Sequence, residues 1–287
     1  MNFGVLSVAF GDCTYQELAQ RIRRNQFDAT HLELTLVNNI DHRLGKLSTG
    51  LANVVAEEFE RAGVRIPVLG CYVNLIDVDL ERRKVYIGQL KEHLKYARDF
   101  GASAVTTETG TANRNSPWEY HPDNQNEANW KLLKSVVEEV VEVAEKFGVS
   151  LGLEGYYNNV INTPERMQRM LEEVPSMNLG IVMDPCNYIN ASLAHRQQEV
   201  IEDAFSRLGD RILIAHAKDM IFKSADTSEE HREIQPAAGT GILDYATYMK
   251  LLHEYKPYIK IFLEHLTEEQ MPTSIAYVRK AYESVKR

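Results

Sequence analysis

Short apolar runs alternate with longer amphipathic stretches from one end of this chain to the other. The apolar runs fall at residues 3–10, 31–36, 67–75, 104–110, 149–156, 179–185, 211–219 and 258–265, and each reads as a strand. The stretches between them predict helices over 15–24, 48–62, 80–100, 127–147, 163–173, 193–208, 244–255 and 268–284. Local signals support the helix limits. Thr14 is placed as an N-cap and Asp244 as a cap or first-turn acid, Pro164 sits in a first turn, and Gly63, Gly101 and Gly148 each follow a last turn. Strands that alternate with helices imply parallel βαβ units. Eight such units predict an α/β fold, a (β/α)8 TIM barrel forming a single domain over residues 1–287. A doubly wound sheet is the alternative, but its glycine-rich first turn is missing; here that turn reads Phe10-Gly11-Asp12-Cys13. Two polar loops, 111–126 and 222–241, follow the fourth and seventh strands and are lid candidates.

Composition narrows the function. Lys and Arg total 32 against 41 Asp and Glu, a net charge of −9, which argues against a nucleic-acid partner. The three cysteines, Cys13, Cys71 and Cys186, form no metal-binding or disulfide spacing and fit a reducing compartment. The N-terminal residues lack a basic segment before their short apolar run, so no signal peptide is expected. No apolar run approaches the ~18 residues of a membrane span. A cytoplasmic protein without a membrane partner is the expectation.

The candidate chemistry lies at strand ends. Glu154, Asp184, His216 and Glu264 each close one of the last four apolar runs. In a closed barrel these four converge at the C-terminal mouth, and three carboxylates with one imidazole suit a divalent metal. A single such carboxylate is equally an ion-pair partner or a helix cap; four at one end of successive strands point to a shared site, since charge behind an apolar lead-in must be compensated. Strand alternation places Lys218 on the face of His216, Glu33 with His31 and Thr35, and Glu108 with Thr106 and Gly110. Lys218 reads as a substrate contact or as the ion-pair partner of Asp219 or Glu264. Glu108 reads as a polar wall or an interior hydrogen-bond partner, and Glu33 likewise. Trp118 and Tyr120, in the loop after strand four, read as an apolar lid or a subunit contact. His265 is expected to face away from the mouth. Cys186 has no histidine at a spacing that marks a nucleophile.

These motifs carry a resemblance. Leu153-Glu154-Gly155, Met183-Asp184-Pro185-Cys186-Asn187, His216-Ala217-Lys218-Asp219, the run Gly239-Thr240-Gly241-Ile242-Leu243-Asp244-Tyr245, and Leu263-Glu264-His265 are similar to the xylose-isomerase-like TIM-barrel superfamily of sugar isomerases and epimerases. The resemblance covers nearly the whole chain. It implies that Glu154, Asp184, His216 and Glu264 bind one divalent ion, Mn²⁺ first, with Mg²⁺, Co²⁺ or Zn²⁺ as alternatives. It also implies that Glu154 and Glu264 act as acid and base on opposite faces of a sugar carbon. Lys218, Asn187, Glu108 and Trp118 are the substrate-binding candidates. The implied activity is isomerisation or epimerisation of a sugar or keto-polyol through an enediolate. The alternatives are dehydration of an inosose-like keto-polyol and a non-catalytic sugar-binding barrel. Homo-oligomers are implied as well. Two departures matter: Asn187 and Phe222 stand where ketohexose 3-epimerases carry a His and an Arg. Asn74, Glu108 and Asn187 stand where endonuclease IV places ligands of its three-zinc cluster, and His231 does not restore that set.

Overall fold

The computed structural model describes residues 2–222 and 233–286; His231 and half of the predicted loop 222–241 lie outside the described residues. Eight parallel strands close into a barrel. They are β1 (Asn2–Leu6), β2 (Ala29–Glu33), β3 (Arg65–Gly70), β4 (Ala104–Glu108), β5 (Ser150–Glu154), β6 (Leu179–Met183), β7 (Ile212–Ala217) and β8 (Lys260–Leu263). Closure pairs β1 with β8 from Asn2↔Lys260 to Val5↔Leu263. The helices around it are α1 (Tyr15–Arg24), α2 (Thr49–Arg61), α3 (Leu80–Tyr96), α4 (Glu127–Phe147), α5 (Pro164–Glu173), α6 (Gln197–Leu208), α7 (Tyr245–Tyr255) and α8 (Met271–Val285). No described helix is long and apolar enough to cross a membrane.

The local signals act as their chemistry requires. Thr14 and Glu17 form a reciprocal capping box at the start of α1, satisfying two otherwise unpaired N–H groups. Thr163 accepts from Arg166 N, and Pro164 fills the first turn of α5. The large core lies between strands and helices, where α4 alone buries Trp130, Leu133, Val136, Val137, Val140, Val141 and Ala144. A smaller cluster, Leu6, Ala29, Val68, Val182, Ile214 and Phe262, fills the barrel interior. The Phe262 ring lies 5.7 Å from the His31 ring, so this apolar plug ends where the polar mouth begins.

Strands stop earlier than the apolar runs suggest. β1 gives way at Ser7–Phe10 to a 3-10 turn, and β3 ends at Gly70 although Leu75 and Ile76 remain fully buried. These two mouth segments are buried or half-buried like the strand ends, and apolarity alone does not separate the two. The predicted helix over 80–100 is α3 followed by a 3-10 segment, Ala97–Phe100. The segment 193–208 likewise divides into a 3-10 turn, Ala194–Arg196, and α6. The described ends of the loop after β7 form a short antiparallel ladder, Ile221–Phe222 against Glu233–Ile234.

Candidate metal centre and active site

The four strand-end groups meet. Glu154 ends β5, Asp184 follows β6, His216 lies in β7, and Glu264 follows β8. All four are buried, and one ligand atom from each lies within 4.8 Å of the others. His216 Nδ1 sits 3.2 Å from Glu154 Oε1 and 3.5 Å from Glu264 Oε2. Lys218 Nζ, on the same face of β7, lies 2.7 Å from Asp184 Oδ2 and 3.0 Å from Glu264 Oε1. Among the described residues, Asp184 Oδ2 and Glu264 Oε1 have no hydrogen-bond donor and face only the charge of Lys218. Asp184 Oδ1 accepts from Cys186 N at 3.1 Å. Asp219, an expected partner of Lys218, instead accepts from the backbone N–H groups of Met220, Gly239 and Leu243, tying down the return of the loop after β7.

A further layer orients these groups. Tyr72 Oη donates to Glu154 Oε2 at 2.7 Å, and Asn187 Nδ2 donates to Glu154 Oε1 at 2.8 Å. His216 Nε2 lies 3.2 Å from His31 Nδ1, and His31 Nε2 lies 2.8 Å from Thr106 Oγ1. Burial, reinforced by the charge of His216, holds the His31 imidazole well below its ordinary pKa, so it stays neutral.

Charge explains why the site suits a divalent cation. Three buried carboxylates face one ammonium, which leaves an excess of about two negative charges with His216 neutral. Burial opposes charging His216, but Glu154 and Glu264 outweigh it and hold the imidazolium to about 9. Burial raises Asp184 to about 7 against the pull of Lys218. Glu264 is also buried, yet Lys218 and His216 hold it well below the ordinary carboxylate range. The metal-free cluster thus balances itself with protons. A divalent ion would supply the positive charge these protons now provide, and the four donor atoms lie close enough together to share one. The oxygen and nitrogen donor set and the two donor-free carboxylate oxygens fit such an ion.

Above the cluster lies a cavity of about 510 Å³, within the ~300–1,000 Å³ range of small-molecule sites. Its walls include Glu154, Glu264, Lys218, Asn187, Glu108 and Trp118. Glu33 and Thr35 join them, while His31 and Thr106 sit deeper on the same faces, as strand alternation requires. Burial pushes the Glu33 carboxyl up to about 7 and the Glu108 carboxyl up to about 8. Asn159 Nδ2 donates to Glu108 Oε2 at 2.7 Å. Trp118 is half-exposed at the rim, whereas Tyr120 lies outside the cavity wall. His265 does not face away: it lines the cavity. β8 ends at Leu263, and His265 adopts φ 53°, a left-handed turn that breaks the alternation on which the outward placement rested. Tyr72 and His31 were not identified as site residues from the sequence. Tyr72 follows β3 in irregular backbone without strand periodicity; His31 shares the face of Glu33, which is its available signal.

A family profile described as "Xylose isomerase-like TIM barrel" matches residues 20–281. The chain belongs to that family. Within the xylose isomerase-like barrels, it is 24% identical over 262 residues to the uncharacterized protein MJ1311 of Methanocaldococcus jannaschii, covering 88% of this chain and 80% of that one. Among solved structures it is similar to a D-tagatose 3-epimerase-like protein, with TM-score 0.75, 20% identity and coverage of 100% and 98%. It is also similar to the IOLI protein with a bound zinc atom, with TM-score 0.70, 18% identity and coverage of 100% and 96%. At these identities the structural matches show the shared barrel fold, and the geometry of the four-residue cluster above is this chain's own.

Proposed function

We propose that the protein is a divalent-metal-dependent isomerase or epimerase acting on a sugar or keto-polyol through an enediolate. One observation carries this reading. Glu154 and Glu264, from strands on opposite sides of β6 and β7, flank His216 at the floor of a cavity of sugar size. Glu154, Asp184, His216 and Glu264 hold the ion, with Mn²⁺ as the first choice. The ion supplies Lewis acidity towards a carbonyl and its neighbouring hydroxyl.

The chain's own groups do the rest. One of Glu154 and Glu264 takes a proton from the substrate carbon and the other delivers one to the opposite face, giving epimerisation. Return at the neighbouring carbon gives isomerisation. Tyr72 and Asn187 fix the direction of the Glu154 carboxylate, and the charge of Lys218 holds Glu264 ionised. Lys218 offers a positive charge where negative charge develops on substrate oxygen. Asn187 Oδ1 is buried without a donor and accepts a substrate hydroxyl. Glu108, protonated at neutral pH, donates to another. Trp118 covers the sugar ring from the rim.

The test is solvent-deuterium exchange. Ketoses and keto-polyols are incubated with the Mn²⁺-loaded protein in D₂O and analysed by mass and NMR. Incorporation at carbon by the wild type, lost in Glu154→Gln and Glu264→Gln, supports the reading. Loss of water from the substrate would replace it with dehydration. Binding without exchange in any sugar would replace it with a sugar-binding barrel.

A further inference from the structure

A second cavity opens beside the first. Its volume is about 210 Å³, and it shares Tyr72, Glu108 and Trp118 with the main cavity. At that size it falls below the ~300 Å³ at which independent ligand sites begin, so it serves as an annex of its neighbour. Tyr72 places the junction next to the chemistry, because its hydroxyl is hydrogen-bonded to Glu154. A group attached to the reacting sugar therefore reaches the annex within one side chain of the acid/base pair.

The far walls come from the start of α3 and the loop after β4. Asp77 is buried and accepts from Arg82 Nε at 2.5 Å and Arg82 Nη2 at 2.8 Å. Asp79 N donates to the same carboxylate at 2.8 Å. Charge balance selects the occupant. Asp77 matches Arg82, which leaves Arg114 as the single cation of the wall outside that pair. The annex therefore does not present the paired, uncompensated cations that a phosphate or carboxylate calls for. It presents the aromatic side chains of Tyr72, Tyr86 and Trp118 beside the two-point Arg82–Asp77 pair. A hydroxyl-bearing ring with apolar faces matches both features.

We propose that the annex is a glycosyl subsite and that the substrate is a two-ring keto-sugar glycoside. The carbonyl-bearing ring lies over Glu154 and Glu264, and the second, uncharged sugar ring lies in the annex. This rests on reading the main cavity as a keto-sugar site.

The test is titration calorimetry on the Mn²⁺-loaded protein. The probes are the glucosyl-fructoses turanose, maltulose, leucrose and isomaltulose, which differ in linkage, against D-fructose and D-fructose 6-phosphate. Asn115 is an exposed annex residue outside the main cavity, and Asn115→Trp fills the annex. At least one glucosyl-fructose is expected to bind at least about tenfold more tightly than fructose, with that advantage lost in Asn115→Trp. No advantage, or one the variant leaves intact, overturns the subsite. A preference for the phosphate that the variant removes also overturns it, because the occupant is then anionic. Deuterium exchange on the same sugars separates the two readings. A binding advantage without exchange sustains the subsite and overturns the isomerase reading. Exchange into fructose without a binding advantage sustains the isomerase reading and overturns the subsite.

Discussion

To serve as a metal ligand, His216 must present an unprotonated Nδ1, and its surroundings decide when it can. With His31 neutral, the tautomers that suit a ligand at His216 Nδ1 have His216 Nε2 donating to His31 Nδ1 and His31 Nε2 donating to Thr106 Oγ1. That relay leaves His216 Nδ1 as the ligand atom facing Glu154 and Glu264. Partners of this kind are worth ~10–100-fold in metal affinity. His31→Ala is therefore expected to weaken Mn²⁺ binding by about that factor, read by equilibrium dialysis, with the circular dichroism of the barrel retained. Protons compete with the ion. His216 stays charged to about 9 and Asp184 stays protonated to about 7 in the metal-free cluster. Binding must release these protons, so affinity is expected to rise as pH increases from about 7 to about 9. An affinity flat across that window would show that His216 is not a ligand. Tyr72→Phe removes the hydrogen bond to Glu154 Oε2 while keeping the ring. Turnover is expected to fall ~10–100-fold with the wall of the cavity preserved.

The elements that position the site are clasped at their ends. Asn74, after β3, donates from Nδ2 to Thr111 O and accepts at Oδ1 from the N–H groups of Thr111 and Ile76. Gly110, after β4, makes this approach possible. Its φ is +85°, and a Cβ there would lie 2.1 Å from Asn74 Oδ1 and 2.9 Å from Leu75 N. Gly110→Ala is expected to cost more than ~1 kcal/mol in urea unfolding, because neither the backbone conformation nor the space tolerates a side chain. It should also raise KM more than it lowers kcat, since it displaces Glu108 and the Trp118 loop rather than the four ligands. The same loops mark where periodicity stops being informative. Alternation placed His31, Glu33, Thr106 and Glu108 correctly because they lie within paired strands. It misplaced His265, which lies beyond β8, and it gave no account of Tyr72, which lies beyond β3.

At the scale of the whole molecule, the barrel gathers like charges that unfolding would release. An ion that binds only the folded site adds stability by mass action, ~2.7 kcal/mol at a hundredfold excess over its Kd. Mn²⁺ is expected to raise Tm by several degrees and a chelator to reverse it; Asp184→Asn should shrink that rise. An unchanged Tm under saturating ion would argue against binding at the four buried groups. The sequence by itself determined the alternation of strand and helix, the eightfold count and the four ligand candidates, Glu154, Asp184, His216 and Glu264. These depend on local periodicity and on where an apolar run ends, and both are properties of neighbouring residues. Only the tertiary structure decided that His31 backs His216, that Lys218 bridges Asp184 and Glu264 rather than Asp219, and that Tyr72 joins two cavities. Those relations depend on distances across a closed barrel and on shared burial, which are set when β1 pairs with β8 and have no trace in local sequence.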